Sequence, residues 1–207
     1  MCFWFAKSTL PAPPQHFPDI IDGFMKGSRK RAPLPQALRP AFPRQRVFAV
    51  VALCAVTLLA YANSFSSGFV LDNRGLLLQD ARTHEATAEN LKLILPHTYW
   101  WPYGESGLYH SFTTLTYPFN YALLGNTDHP AGYHWINFLL HAGHVLLVYA
   151  LARRLIGDWG PSVWIAALWA VHPVLTESVT NMVGRADLLA GMTLMGGFLM
   201  YLKSTES

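Results

Sequence analysis

The sequence predicts an all-α membrane protein of about four transmembrane helices, with a long first extracytoplasmic loop that contains short interfacial helices. Hydrophobic residues make up 52% of the 207-residue chain and charged residues only 13%, whereas soluble domains carry about 25% charged residues. The mean hydropathy is +0.22. Apolar residues fall into long runs bounded by basic residues, which is typical of membrane spans.

Residues 1–46 are predicted to be a disordered, basic, proline-rich cytoplasmic tail. Prolines recur along it, and a cluster of basic residues begins at Lys26. Such a segment cannot bury enough apolar surface to offset the entropy cost of ordering. Basic residues directly before an apolar run typically anchor it on the cytoplasmic side, and we prefer this interpretation to nucleic-acid binding. Met25 is an alternative start to Met1.

Four apolar segments are predicted to span the membrane, at about 47–65, 133–152, 161–175 and 187–203. The first is also compatible with a signal peptide cleaved after the Ala-Tyr-Ala sequence at 60–62.

Basic residues indicate the orientation of these spans. They precede the first span and follow the second and the fourth, at Arg153, Arg154 and Lys203. The positive-inside rule makes that side cytoplasmic. The loop 66–132 and the connection between the third and fourth spans then lie on the extracytoplasmic side.

The loop 66–132 contains two predicted helical segments. Residues 87–95 follow the pattern of a short helix with Thr87 as its N-cap. Residues 112–124 look helical but are too short and too polar to cross a bilayer, which indicates an interfacial or re-entrant helix. Between them lies an aromatic cluster that predicts contact with lipid headgroups: Tyr99, Trp100, Trp101 and Tyr103.

Asp72 is the candidate acid of this loop. It is the first charged residue after Arg46 and follows the first span by only a few residues. A carboxylate at the end of a span, where the chain enters a polar loop, is unusual and favours a functional role at the membrane surface.

The connection between the third and fourth spans carries a second set of ionisable residues. His172, Glu177, Arg185 and Asp187 all lie close to predicted bilayer ends on the same side as Asp72. Groups so placed are candidates for holding a charged substrate near the lipid. Glu177, Asn181 and Arg185 are four residues apart, so a continuous helix would place them on one face. An exposed, ion-paired surface helix is the alternative interpretation.

No metal site and no certain cofactor are predicted. His141 and His144 lie three residues apart within the second span, but no further ligands are evident, which favours neutral histidines packed between helices. The chain also lacks a C-x-x-C pair, a phosphate-binding glycine loop and the motifs of soluble hydrolases. An enzyme built on this chain would therefore act on a lipid-borne substrate.

Six motifs carry a family resemblance. They are Phe-Val-Leu-Asp-Asn at 69–73 and the segments at 108–120, 132–134, 137–141, 172–177 and 183–189. In this order and spacing they resemble the N-terminal part of the transmembrane and tetratricopeptide-repeat O-mannosyltransferases and their bacterial relatives. That family belongs to the GT-C class of glycosyltransferases, which use polyprenyl-phosphate sugars.

The resemblance implies transfer of a sugar such as mannose. The donor would be a polyprenyl- or dolichyl-phosphate-linked sugar, and the acceptor a protein hydroxyl at the extracytoplasmic membrane face. It implies that Asp72 is the catalytic base, because the first extracytoplasmic loop supplies an acid in that class. The expected substrate-binding residues are Arg74, Tyr109, His110, His172, Glu177, Arg185 and Asp187. Of these, Arg74 and Arg185 are the cations suited to a leaving lipid phosphate.

Two departures from the family pattern bear on these roles. The family commonly has Asp-Asp or Asp-His where this chain has Asp72 and Asn73, which removes a second acid. It commonly has Tyr-Arg-Pro where this chain has Tyr109, His110 and Ser111, which weakens a basic contact.

Proteins of this class continue through further spans and helical repeats, so we expect the chain to be a truncated N-terminal module that is inactive alone. The alternative is a non-catalytic multi-span scaffold or subunit. In either case we expect a multi-pass protein with a cytoplasmic N-terminus, in the bacterial inner membrane or, in a eukaryote, the endoplasmic reticulum. Its expected partners are membrane lipid, the lipid-linked sugar donor and the protein acceptor, and no nucleic acid.

Overall fold

The computed structural model describes residues 43–104 and 107–205, and within these residues all regular structure is helical. This confirms the predicted fold class. Residues 1–42 of the predicted tail lie outside the described part, whereas residues 43–46 already belong to the first helix. The α-helices are α1 (Pro43–Tyr61), α2 (Ala88–Ile94), α3 (Ser111–Pro118), α4 (Pro130–Ile156), α5 (Trp159–Ala170), α6 (Thr176–Thr180) and α7 (Arg185–Ser204).

Two described helical segments are long and apolar enough to cross a membrane, Arg44–Ser66 and Pro130–Ile156. A third is added if Trp159–Ala170 and Pro173–Thr180, which meet at a bend of 48°, form one broken span. The fourth predicted span corresponds to α7, which is not among these candidates. Its first turn contains Arg185 and Asp187 and its last turn Lys203, and these charged ends lower its hydropathy.

The ends of α4 and α5 have identifiable local causes. Pro130 occupies the first turn of α4, where its missing N–H is not needed. Gly157 ends α4 with φ +80°, a left-handed conformation that glycine adopts without strain, and its N–H donates to the carbonyl of Arg153. Asp158 then caps α5 by accepting from the N–H of Gly160.

Helices α1 and α4 are antiparallel. Tyr61, at the end of α1, packs edge-on against His141 in the middle of α4, with ring centroids 5.3 Å apart. Six residues further along the chain, the carbonyl of Ser67 lies 3.2 Å from Nε2 of His134, which is about two helical turns closer than His141 to the start of α4. Helix α1 and the residues that follow it therefore run in the direction opposite to α4.

Helix α7 runs parallel to α4, and α5 runs antiparallel to it. A Cβ added to Gly191 would lie 2.7 Å from the ring of His144, so α7 approaches α4 closely at this level. On α5, the carbonyl of Ala170 lies 3.0 Å from Nε2 of His141, and Trp169 packs edge-on against His144. This confirms the prediction that both histidines pack between helices.

Because α1 is antiparallel to α4 and α7 is parallel to it, the basic ends of these helices lie together at one end of the bundle. Arg44 begins α1, Arg153 and Arg154 end α4, and Lys203 ends α7. Residues 67–104, 107–129 and 172–187 lie at the opposite end. The charge pattern used to predict topology thus coincides with a geometric division of the bundle.

Residues 67–104 and 107–129 form a folded unit rather than an open loop. Thr87 caps α2 by accepting from the N–H of Asn90, as predicted. The second predicted helix is also confirmed, since α3 continues into a π-helical turn, Phe119–Leu123. The aromatic cluster does not lie uniformly at the surface: Tyr99 is buried, whereas Tyr103 is exposed.

A buried ion pair holds the aromatic segment in place. The guanidinium of Arg82 contacts both carboxylate oxygens of Asp80, the closest at 2.7 Å, and both residues are almost fully buried. Arg82 also donates to the backbone carbonyls of Thr98, Tyr99 and Trp101. Because every carbonyl in this group has a donor, the turn can be buried without unpaired polar atoms.

The division of the bundle yields a labelling prediction. In a Cys2→Ala, Cys54→Ala background, Asp158→Cys should react with an impermeant thiol reagent supplied only on the cytoplasmic side of sealed vesicles, and Asp128→Cys should react only after permeabilisation. Both positions are exposed, so the membrane alone determines whether the reagent reaches the introduced cysteine. Labelling of Asp128→Cys and not Asp158→Cys would reverse the orientation.

Candidate functional site

At the end of the bundle opposite the basic helix ends, the central residue is Arg185, the first residue of α7, which is completely buried. Its Nε donates to Oδ1 of Asn137 at 2.9 Å. Its Nη1 donates to Oδ1 of Asn120 at 2.6 Å and to Oγ1 of Thr116 at 3.0 Å, and its Nη2 donates to the carbonyl of Tyr133 at 3.3 Å. Neutral oxygens from α3, the following turn and α4 therefore surround one cation.

Within the described residues, no carboxylate forms an ion pair with Arg185. The guanidinium instead lies over the ring of Tyr117, 5.1 Å from the ring centroid, in a cation–π arrangement. Burial lowers the pKa of Arg185, and the nearby Tyr117, Tyr133 and Tyr99 oppose this change. An arginine does not lose its proton in proteins, so the centre of the unit is a buried positive charge.

Two buried tyrosines connect this charge to the surface. The hydroxyls of Tyr99 and Tyr117 are 3.0 Å apart. Burial raises the pKa of both tyrosines. The ring of His110 packs edge-on against that of Tyr99, with centroids 5.1 Å apart.

Asp72 is exposed and lies within electrostatic range of Tyr99. Its carboxylate is close enough to Tyr99 to contribute to the raised pKa of that tyrosine, although burial of the ring is the larger cause. The residue before it, Leu71, has φ +46° and is 87% exposed, a backbone conformation that costs an apolar residue energy. Among the described residues, no hydrogen bond or ion pair engages the Asp72 side chain, so it is free to meet a ligand.

The two residues after Asp72 point in opposite senses. Asn73 is buried, and its Oδ1 accepts from the N–H of Val183 at 3.2 Å. Arg74 is exposed. The turn therefore presents an acid and a guanidinium to solvent while its middle residue is fixed to the second loop.

The second loop departs from the predicted continuous helix. Helix α6 ends at Thr180, and Asn181 is extended, with φ −86° and ψ 125°. Glu177 is consequently exposed while Arg185 is buried, so the prediction that they share one helix face is wrong.

The other predicted substrate-binding residues lie at the surface. His172 is exposed, and its Nδ1 accepts from the N–H of Val174. Asp187 is exposed and accepts from Oγ of Ser178 at 3.1 Å. Tyr109 is 62% exposed.

The structure gathers three of the predicted residues, Asp72, His110 and Arg185, around the tyrosine pair. No hydrogen bond, ion pair or ring contact among residues 43–104 and 107–205 joins the remaining surface residues to this group. In the same described part, no three His, Cys, Asp or Glu side chains are grouped so as to hold a metal ion. Sequence reasoning assigned no structural role to the amide side chains of Asn73, Asn120 and Asn137, although each lies within one of the family motifs, at 69–73, 108–120 and 137–141.

The fold and these contacts define a class, a helical membrane protein in which a buried arginine joins two segments at one end of the bundle. Comparison with known proteins narrows that class. The chain is 35% identical over 159 residues to Protein O-mannosyl-transferase TMTC3 of Mus musculus, which covers 75% of this chain and 17% of the relative. It is 32% identical over 188 residues to Protein O-mannosyl-transferase TMTC4 of Homo sapiens, which covers 83% of this chain and 24% of the relative.

These similarities confirm the resemblance to the transmembrane and tetratricopeptide-repeat O-mannosyltransferases. The chain spans between 17% and 24% of the length of these relatives. No protein-family model matches the chain, and no solved structure matches it.

The environment of Arg185 predicts a large effect on stability. Arg185→Met should lower the midpoint of thermal unfolding in detergent, because it leaves buried acceptors of Asn120, Asn137 and Thr116 unpaired at about 1–3 kcal/mol each. The matched control Arg74→Met, at an exposed position, should leave the midpoint nearly unchanged. An Arg185→Met protein of normal stability that has lost only donor binding would instead support a direct contact between Arg185 and the substrate.

Proposed function

We propose that this chain contributes the base-bearing part of a membrane glycosyltransferase. In this proposal the enzyme transfers a sugar from a polyprenyl- or dolichyl-phosphate-linked donor to a protein hydroxyl at the extracytoplasmic membrane face. The relatives are named as protein O-mannosyltransferases, which favours mannose as the sugar. The observation that carries the proposal is the exposed Asp72, which lies just beyond the candidate span Arg44–Ser66 and belongs to the motifs of the family.

Asp72 has the properties that a general base requires. The acceptor hydroxyl attacks the anomeric carbon of the donor sugar, and its proton passes to the Asp72 carboxylate as the new C–O bond forms. The bond between the sugar and the lipid phosphate breaks in the same step, and the phosphate leaves with the electron pair. Attack on the face opposite the phosphate inverts the anomeric centre. A carboxylate that is exposed and unpartnered within the described chain can reach an incoming hydroxyl.

Arg74 is better placed than Arg185 to contact the leaving phosphate. Arg74 is exposed and lies two residues from Asp72, whereas Arg185 is buried and its guanidinium already donates to oxygens of Asn137, Asn120 and Thr116. A guanidinium binds phosphate oxygens in a bidentate manner and stabilises their developing charge. We therefore assign the phosphate contact to Arg74 and a supporting role to Arg185.

The remaining surface residues would complete the substrate site. His110 lies beside the tyrosine pair through its ring contact with Tyr99, and Tyr109, the residue before it, is exposed. His172, Glu177 and Asp187 are exposed on the second loop at the same end of the bundle. Exposed ionisable groups near the end of a span suit contacts with a phosphate, a sugar or an acceptor peptide.

The direct test is Asp72→Asn in the protein that carries this chain, assayed for transfer of a labelled sugar from a polyprenyl-phosphate donor to an acceptor peptide. An amide cannot take the proton, so turnover should fall by about 10²–10⁴-fold, while thermal stability and donor binding stay close to those of the wild type. The matched control Glu89→Gln removes another exposed carboxylate of the same segment and should leave turnover within a few-fold. Undiminished turnover in Asp72→Asn would reject the base and favour a scaffold role for this chain.

A further inference from the structure

Asn73 connects the turn that carries Asp72 to the second loop. Its side chain is 1% exposed, and its Oδ1 accepts from the backbone N–H of Val183 across 110 positions of sequence. A buried amide normally requires such a partner, because an unpaired one costs free energy. The contact is therefore a specific attachment between two distant segments.

The local helical geometry explains why the hydrogen bond of Asn73 also fixes the side-chain directions of Asp72 and Arg74. Successive side chains in a helical turn are about 100° apart. When Asn73 points into the protein, Asp72 and Arg74 lie on its two flanks, and both are indeed exposed. The direction of the buried amide thus sets the directions of the acid and the guanidinium together.

The other end of the attachment is itself rigid. Val183 lies in the 3₁₀ turn Met182–Gly184, directly before Arg185. A Cβ added to Gly184 would approach the backbone of Ser178 to 2.6 Å, so this turn packs tightly against α6. Asn137 also donates from Nδ2 to the carbonyl of Met182 at 3.3 Å and so holds the turn against α4.

We propose that Asn73 is a positioning residue that holds Asp72 and Arg74 in their reactive arrangement by accepting a hydrogen bond from Val183. This rests on the proposed function of Asp72. The residue that follows the base acts here as a neutral hydrogen-bond acceptor rather than as a second acid. Loss of the acceptor frees the turn to rotate, which moves base and cation away from the reacting atoms without removing either.

The activity test compares three changes in the protein that carries this chain. Asn73→Leu keeps the size of the side chain but removes the acceptor, and should lower kcat by about 10²-fold, the cost of a misplacement of about 1 Å, with little change in KM for the donor. Asn73→Asp retains an acceptor oxygen and should recover most of that loss. Asn181→Ala is the matched control, because Asn181 Oδ1 also accepts from the Val183 N–H, at 3.4 Å, but does not touch the Asp72 turn.

A second measurement does not depend on activity. Hydrogen exchange of the peptide that contains Val183 is measured in an Asn181→Ala background, so that Asn73 Oδ1 is the remaining side-chain acceptor of the Val183 N–H. The amide should be protected in that background and after Asn73→Asp, and should exchange faster after Asn73→Leu. An unprotected Val183 amide in the Asn181→Ala background would overturn the attachment even if Asn73→Leu failed to fold.

The outcomes separate this inference from the function on which it rests. Full kcat in a folded Asn73→Leu protein, or an equal loss in Asn181→Ala, would overturn the positioning role. If Asp72→Asn, assayed in the same series, keeps full turnover, the proposed base is wrong instead. A loss in Asp72→Asn together with full turnover in Asn73→Leu would reject the positioning role alone.

Discussion

One positive charge, buried without a carboxylate partner in the described chain, organises the end of the bundle that carries the proposed site. Transferring an unpaired ion into a low-dielectric interior costs several kcal/mol even after relaxation. Arg185 reduces that cost because its guanidinium is weakly hydrated and offers five donors in a fixed fork. The oxygens of Asn120 and Asn137 and the ring of Tyr117 meet it from three directions. Helices α3, α4 and α7 and the turn after α3 therefore share a single centre.

This centre determines what remains available for chemistry. Arg185 has its donors engaged inside the protein, so the reactive groups must lie on the surface that it supports. The turn with Asp72 and Arg74 occupies that surface, and the hydrogen bond between Asn73 and Val183 fixes it to the segment that leads into Arg185. A rigid core below an exposed acid and guanidinium is compatible with the proposed function, which requires a substrate to be held in a fixed orientation. The basic helix ends at the far end of the bundle are consistent with a membrane between the two surfaces.

Hydropathy and local patterns predict the helical class, the two long spans and the cap of α2 at Thr87, because each depends on neighbours in sequence. The motifs also predict the family resemblance. The apolar stretch 187–203 is helical as expected, within α7, and the charged residues at the ends of α7 distinguish it from the two long candidate spans. The burial of Arg185 is missed because its partners Asn120 and Asn137 are 65 and 48 residues away, and no periodicity reports such pairings. The break at Asn181, which separates Glu177 from Arg185, likewise arises from packing of the second loop rather than from its own spacing.

Solvent exchange of the Arg185 side-chain protons tests the buried charge most directly. With arginine-specific ¹⁵N labelling in detergent micelles, the Arg185 Nε–H resonance can be assigned by its absence in Arg185→Lys. A guanidinium enclosed by Asn137, Asn120 and Thr116 should exchange its Nε–H far more slowly than the exposed Arg74 does. Equal exchange rates for Arg185 and Arg74 would place the Arg185 guanidinium in water and contradict the organising role of its charge.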